Sequence, residues 1–353
     1  YTLKVTDNSS PDFGCFSFVT QTIESDVDNI IDFAFSLVDN PDCTPDNGSV
    51  TLTSIDLFNS STGVSSTLSS PGDIVAIDAY TINVYKASDN SLVNTNVEDA
   101  GDNVTITGLS ADNYLIEILN PTTQCFSARK AFTIDDISST PTVAIVQDQS
   151  NTICDPTFGA LEATGQLTAT VTGDADDNFS FTWYKGPTGN TGASTALANG
   201  VPFNGSTVAI DETGVNTSVI SNLQEGNYWV FITDNVTGNL GCTVTGGFTL
   251  TANLTPVTLD VANVVANPAT DCTSPANGSI IIDLADISGS GAAITDYTIA
   301  INGVNTNTSD NAALALSSDP ETISNLEPDT YDITITDETT GCVSATYQVT
   351  VGF

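Results

Sequence analysis

The stretch ISNLEPDTYDITITDETTGC (323–342) decides the fold of this chain. Its strand-like part alternates strictly: Tyr331, Ile333 and Ile335 fall on one face, and polar residues occupy the positions between them. Alternation with a period of two is typical of a β-strand with one buried and one solvated face, and such strands belong to antiparallel sheets.

The same pattern occurs twice more, as ITGLSADNYLIEILNPTTQC (106–125) and ISNLQEGNYWVFITDNVTGNLGC (220–242). In every copy a leucine precedes a tyrosine by five residues, and the strand runs into a turn and a cysteine. This Leu-x4-Tyr step resembles the tyrosine corner of Greek-key sandwiches, although a plain core tyrosine would give the same spacing. The opening residues YTLKVTDNSSPDFGC (1–15) match from the tyrosine onward, so we expect a truncated repeat there and a longer precursor.

Two further blocks recur in each full repeat. An opening block joins a cysteine to a strand through a glycine-containing turn: CTPDNGSVTL (43–52), CDPTFGALEATGQLTATV (154–171) and CTSPANGSIIIDL (272–284). A central aromatic strand follows as YTINVYK (80–86), FSFTWYK (179–185) and YTIAING (297–303). The sequence therefore predicts an all-β chain of tandem immunoglobulin-like antiparallel β-sandwiches, with one disulfide per repeat, arranged as an extended rod. We place a partial repeat at 1–27 and full repeats at 28–139 (repeat 1), 140–254 (repeat 2) and 255–353 (repeat 3).

Composition excludes several function classes. The 353 residues carry 43 acidic and 5 basic side chains, a net charge of −38, and no histidine. Without histidine there is no Ser-His-Asp or Cys-His relay and no His-ligated metal. So negative a surface repels nucleic acid and anionic membrane. We therefore expect no enzyme activity, no cofactor, no nucleic-acid partner and no insertion into a membrane; the expected partners are neighbouring repeats and surface polysaccharide or other surface proteins.

The seven cysteines predict a disulfide framework in an oxidising, extracellular compartment. One cysteine opens each full repeat and one follows its tyrosine strand. This recurrence predicts the pairs Cys43–Cys125, Cys154–Cys242 and Cys272–Cys342, with Cys15 left over. Reduced structural thiols are the alternative, and zinc is not indicated because no Cys-x2-Cys occurs.

These blocks together resemble the SprB-type repeat of very large cell-surface adhesins of gliding and marine Bacteroidetes. The motifs that carry the resemblance are CTPDNGSVTL, CTSPANGSIIIDL and YDITITDETTGC, and the resemblance covers the whole chain. Repeat 2 departs from it, since Phe-Gly-Ala at 158–160 replaces Asn-Gly-Ser. The resemblance implies export by the type IX pathway and a role in adhesion or gliding. Two other classes stay open: an array of carbohydrate-binding modules of a secreted enzyme, and a self-assembling extracellular filament subunit.

Two kinds of candidate site remain. Asp174, Asp176 and Asn178 have the first spacings of a calcium loop, but Phe179 and Lys185 stand where its glycine and glutamate belong, so a solvated turn is the simpler interpretation. Asp135 and Asp136 form an acidic pair at a repeat junction, where calcium would tie adjacent repeats together.

The second candidate is aromatic. Tyr184, Trp229 and Phe231 lie out of phase with the core face of their strands. They form either an exposed ligand patch or a surface covered by a long loop.

Overall fold

A computed structural model describes residues 1–9, 11, 14–21, 28–69, 80–96, 105–120, 122–172, 178–189, 193–214, 216–236, 238–271, 276–305 and 312–353. Regular structure in this part of the chain is almost entirely antiparallel β-sheet, as predicted. The chain divides into two compact units, Tyr1–Thr140 with Val236–Cys242 (unit 1) and Pro141–Asn235 with Thr243–Phe353 (unit 2). The repeat boundaries given above stay predictions.

Unit 1 begins with a hairpin and continues with a sandwich. Its strands are β1 (Thr2–Thr6), β2 (Phe16–Thr20), β3 (Asp28–Val38), β4 (Gly48–Asn59), β5 (Val64–Ser69), β6 (Thr81–Lys86), β7 (Leu92–Asn96), β8 (Thr105–Leu109), β9 (Asp112–Asn120), β10 (Cys125–Phe126) and β11 (Lys130–Ile134). One sheet has the order β3-β4-β5 with β8 also on β4, and the other has the order β10-β9-β6-β7 with β11 also on β9. Both sheets contribute their apolar faces to one core that includes Leu52, Ile82 and Ile116.

Unit 2 contains two such sandwiches. The first uses β12 (Thr142–Gln149), β13 (Gly165–Thr172), β14 (Phe179–Lys185), β15 (Thr195–Ala196), β16 (Pro202–Phe203), β17 (Ser206–Thr207), β18 (Ala209–Gly214), β19 (Thr217–Leu223), β20 (Gly226–Asp234) and β21 (Thr243–Leu250). Its sheets, β12-β13-β19-β18 and β15-β14-β20-β21, enclose the fully buried Trp183, and β16 pairs with β17.

The second sandwich of unit 2 repeats this plan. Its elements are β22 (Thr258–Leu259), β23 (Val265–Asn267), β24 (Gly278–Ile282), a 3₁₀ helix (Leu284–Asp286), β25 (Ile287–Ser288), a 3₁₀ helix (Ile294–Asp296), β26 (Tyr297–Gly303), β27 (Ala312–Ala315), β28 (Glu321–Leu326), β29 (Asp329–Asp337), β30 (Cys342–Val343) and β31 (Tyr347–Val351). The sheets are β23-β24-β28 and β27-β26-β29-β30, with β31 also on β29 and a short β22-β25 pair beside them. Their core includes Ile280, Ile299 and Ile333.

The Leu-x4-Tyr step forms a tyrosine corner in all three full repeats. The hydroxyls of Tyr114, Tyr228 and Tyr331 each donate to the backbone carbonyl four residues earlier, at 2.8, 2.7 and 2.9 Å. All three rings are fully buried, so each hydroxyl finds the partner that burial of a polar group requires. The corner fixes where the strand enters the sheet.

The turn glycine of the opening block lies against this corner. An added Cβ at Gly48 or Gly278 would lie 2.6 or 2.5 Å from the carbonyl oxygen of Leu109 or Leu326. In repeat 2 the residue with this contact is Gly165, which lies against the carbonyl of Leu223, whereas Gly159 has nothing near it. The structural counterpart of Asn-Gly-Ser is therefore Thr164-Gly165-Gln166, and comparing it with residues 158–160 is wrong because an insertion follows Cys154.

Candidate functional site

The turn that precedes each closing cysteine is built on one buried polar residue. Asn120, Asp234 and Asp337 end the tyrosine strands of the three repeats and are 6%, 1% and 0% exposed. Asn120 accepts hydrogen bonds from the backbone N–H groups of Thr122 and Thr123. These side chains replace strand partners that the turning backbone has lost.

Asp337 shows how strongly such a turn can be held. Its Oδ1 accepts from the N–H and hydroxyl of Thr339, and its Oδ2 accepts from the N–H groups of Ser290 and Gly291. Burial alone would raise the pKa of this carboxyl, but the hydrogen bonds outweigh burial and hold the pKa below its ordinary value of 3.8. The closing turn of repeat 3 is thus anchored by a carboxylate that is buried and charged.

In unit 1 the closing turn of residues 238–242 binds the opening loop around Cys43. Cys43 forms a disulfide with Cys242, 199 residues later. The N–H groups of Cys43 and Thr44 donate to the carbonyl of Leu240 at 2.9 and 3.0 Å. We call this arrangement the first clasp.

Asp42 provides most of the polar contacts of the first clasp. It is 2% exposed, and its Oδ1 accepts from the N–H groups of Gly238 and Leu240 at 2.7 and 3.0 Å. Asn47 donates to its Oδ2. One carboxylate therefore satisfies two backbone donors that the turn cannot pair internally.

Unit 2 contains the second clasp, Cys154–Cys342, with a sequence separation of 188. The Cys154 N–H donates to the carbonyl of Thr340 at 2.8 Å. Ile153, 7% exposed, occupies the position that Asp42 has in the first clasp. The two clasps therefore share their covalent bond and differ in their surroundings.

The predicted pairs Cys43–Cys125 and Cys154–Cys242 are wrong, and so is the partner assigned to Cys342. The geometry of unit 1 explains the error. Asn40, just before Cys43, bridges to Asp136 beyond β11, next to the start of β9, whereas Cys125 follows the end of β9. Nine strand residues separate those ends by about 30 Å, far beyond the reach of a disulfide. An opening cysteine thus lies at the opposite end of its own repeat from the closing cysteine.

The other cysteines fall into two groups. Cys15 and Cys125 are exposed free thiols among the described residues. Cys272 lies outside the residues that the structure describes. Its predicted bond to Cys342 is excluded because Cys342 is bonded to Cys154. In contrast with Cys125, the bonded Cys242 and Cys342 are 0% and 2% exposed.

The aromatic residues Tyr184, Trp229 and Phe231 do lie on the face of their sheet opposite the core, as the alternation predicted. Tyr184 pairs with Trp229 across β14 and β20, and all three are half-buried. The indole Nε1–H donates to the carbonyl of Gly186 at 3.0 Å, and added Cβ atoms at Gly189 and Gly247 would lie 3.0 and 2.6 Å from the indole ring. The 186–189 loop and β21 thus cover Trp229, which favours the covered-surface interpretation over an open ligand platform.

The same face of repeat 1 carries a polar cluster that sequence reasoning missed. Glu117, at the position of Phe231, accepts from the Tyr85 hydroxyl at 2.6 Å and from Arg129 Nε at 2.8 Å. The Arg129 guanidinium also stacks on the Tyr85 ring at 4.1 Å. Burial alone would raise the pKa of Glu117, but its hydrogen bonds to Arg129 and Tyr85 outweigh burial and hold this pKa below its ordinary value. The rarity of basic residues was the one signal that could have pointed to Arg129.

Of the calcium candidates, Asn178, Asp135 and Asp136 lie in the described part of the chain, and each has its own local partners. Asp174 and Asp176 lie outside the described residues, and Asn178 is exposed with its carbonyl bonded to the Asn235 N–H. The Asp136 carboxylate accepts from the hydroxyl and N–H of Ser138, which lowers its pKa, and the Asp135 carbonyl accepts from Asn40. Within the described residues no cluster of three acidic or cysteine side chains could hold a metal ion.

Comparisons with known proteins add little to this picture. No family model matches the chain, and no curated protein matches it. Similar solved structures include Dpr2 Ig1-Ig2 in complex with DIP-Theta Ig1-Ig3 (11% identity, 59% of this chain and 90% of that chain, TM-score 0.19) and a marsupial T cell receptor (10%, 85% and 95%, 0.24). A third is invasin, a bacterial integrin-binding protein (11%, 91% and 60%, 0.27). Because these TM-scores are low, the sandwich fold rests on the sheets and tyrosine corners described above.

The disulfides indicate the compartment. Structural disulfides form and persist in oxidising environments, so this chain belongs to a secreted or extracellular protein. No helix among the described residues is long and apolar enough to cross a membrane.

Proposed function

We propose that this chain is a spacer segment of a large secreted cell-surface adhesin, and that it transmits tension and is not an enzyme. The observation that carries the proposal is the linkage of the clasps. Each disulfide joins the opening block of one repeat to the closing block of the next, and Cys154 lies inside the interval closed by Cys43 and Cys242. The two covalent loops therefore overlap along the sequence.

Overlapping loops limit how far the chain can be extended. Under tension, the bond between Cys43 and Cys242 removes the 199-residue interval from the extensible length. A spacer that holds a cell at a fixed distance from a surface needs this property, because unfolding of the sandwich that follows Cys43 then adds little length. The resemblance to SprB-type repeats supports the more specific proposal of a Bacteroidetes adhesin exported by the type IX pathway, acting in surface adhesion or gliding. Surface polysaccharide or another surface protein is the proposed contact of the full protein.

Single-molecule stretching of the full chain between its termini tests the proposal. With both disulfides intact, the shortest covalent path from Cys43 to Cys342 crosses both bonds and the 88 residues between Cys154 and Cys242 (242 − 154), against 299 residues after reduction (342 − 43). The final extension should therefore be shorter by 211 residues (299 − 88), or about 760 Å at roughly 3.6 Å per residue. The Cys125→Ser variant is the matched control, because it removes a thiol without removing a clasp. Equal extension before and after reduction would refute the proposal.

A further inference from the structure

The residue before each closing cysteine has the same backbone conformation in all three full repeats but not the same identity. Gln124, Gly241 and Gly341 have φ values of 56°, 75° and 69°, in the left-handed region. Glycine adopts this region without strain, whereas other residues do so at a modest cost. Since Gln124 makes the turn, the turn alone does not require glycine.

What does require glycine is the opening loop that lies against the turn. An added Cβ at Gly341 would lie 2.7 Å from the carbonyl oxygen of Asp155 and 3.2 Å from its N and Cβ atoms. An added Cβ at Gly241 would collide with the carbonyl of Thr44 and lie 3.0 Å from the Thr44 N. In both clasps the obstructing atoms belong to the backbone of the residue that follows the opening cysteine, so no side-chain rotation relieves the overlap.

We propose that this glycine determines which closing cysteines accept an opening loop. Gly241 and Gly341 allow the neighbouring backbone to approach, and the disulfide forms. At Cys125 the Cβ of Gln124 occupies the space that the incoming carbonyl needs, so the same site is closed there. The inference goes beyond the spacer function, since it assigns pairing specificity whatever the repeats are used for.

The loss of function is tested in the full chain with Gly341→Ala, and Gly63→Ala is the matched control. Gly63 has the same φ of 69° with nothing within 4 Å of an added Cβ, so its variant measures the effect of an alanine in this backbone conformation away from a clasp. Each variant is equilibrated in a glutathione redox buffer, and the fraction of Cys154–Cys342 disulfide is measured by mass spectrometry. We expect the equilibrium constant for this disulfide to fall by about tenfold or more in Gly341→Ala, because the clash opposes closure, and to change by less than about twofold in Gly63→Ala. Equal values for the two variants would overturn the proposal.

The second experiment asks whether Gln124→Gly lets Cys125 accept an opening loop. It leaves both existing clasps intact, so it does not depend on whether a weakened clasp still folds. The probe is a synthetic peptide of residues 37–49 (LVDNPDCTPDNGS), activated at its cysteine as a mixed disulfide with a small aromatic thiol. Gln124→Gly should accelerate its transfer to Cys125 several-fold over the unaltered chain, while the rate with a small thiol reagent stays unchanged. Equal transfer to both chains, or an equal increase for the small reagent, would overturn the proposal.

Discussion

The two clasps carry the same covalent bond in different surroundings. In the first, the buried Asp42 accepts from the N–H groups of Gly238 and Leu240; in the second, the buried Ile153 takes its place. Three features are common to both: the disulfide, the glycine before the closing cysteine, and a hydrogen bond from the N–H of the opening cysteine to the carbonyl two residues before the closing cysteine. The shared features are therefore those that closure requires, and the neighbouring residue is free to be polar or apolar provided that its own groups are satisfied.

The largest expected effect comes from removing either bond. Cys242→Ser and Cys342→Ser should each lower the free energy of unfolding by about 2–5 kcal/mol, as in other structural disulfides. The two losses should be similar, because the sequence separations of 199 and 188 enter only as a logarithm. Denaturant unfolding of the full chain measures them, with Cys125→Ser as a variant that should unfold like the original. A large loss in one variant and none in the other would show that the clasps are not equivalent.

Replacing Asp42, the residue before Cys43, with the isoleucine that precedes Cys154 should show how the two clasps differ. Asp42→Ile leaves the Gly238 and Leu240 N–H groups without their acceptor, at a cost of about 2–3 kcal/mol. Asp42→Asn keeps an acceptor oxygen and should cost less than half as much. Thermal unfolding of both variants checks this order, and an Asp42→Ile protein as stable as the original would contradict the role given to the carboxylate.

The closing turns should also differ in their response to acid. Asp337 has a lowered pKa in the folded protein, so its contribution to stability is present above its unfolded pKa and is lost as the pH falls through the folded value. Asp337→Asn should flatten the acid limb of unit 2 unfolding, and the neutral Asn120 at the same position in repeat 1 shows that an amide can hold the turn. Stability measured between about pH 2 and 7 tests this. Identical acid limbs in the variant and the original protein would contradict it.

The smallest effects are expected at the tyrosine corners. Tyr114→Phe, Tyr228→Phe and Tyr331→Phe each delete the hydroxyl's bond to the carbonyl four residues earlier and no packing, so each should cost about 1 kcal/mol. The Tyr114 hydroxyl also contacts the Ser110 hydroxyl at 3.1 Å, so Tyr114→Phe should cost slightly more than the other two. Unfolding of the three variants side by side measures this order. A Tyr→Phe substitution that leaves the free energy of unfolding unchanged would show that the tyrosine stabilises the fold only through the packing of its ring.

The corners and the clasps also show what the sequence could and could not predict. Alternation in residues 323–342 and the repeated Leu-x4-Tyr step led directly to the sheets and to the tyrosine hydrogen bonds, because both depend on local spacing. The pairing of Cys43 could not be found in this way, since it depends on which end of a sandwich each cysteine reaches. The role of Gly165 was missed for a related reason: its contact with Leu223 is spatial, and an insertion hides the correspondence in sequence.

Disulfides that join successive repeats are the central feature of the proposed spacer. Proteolysis of the full chain without reduction, followed by mass spectrometry of the linked peptides, tests this directly. We predict one linked pair that contains Cys43 and Cys242 and another that contains Cys154 and Cys342, with Cys125 recovered in neither. Recovery of Cys43 with Cys125, and of Cys154 with Cys242, would place every bond inside a single repeat and contradict the account.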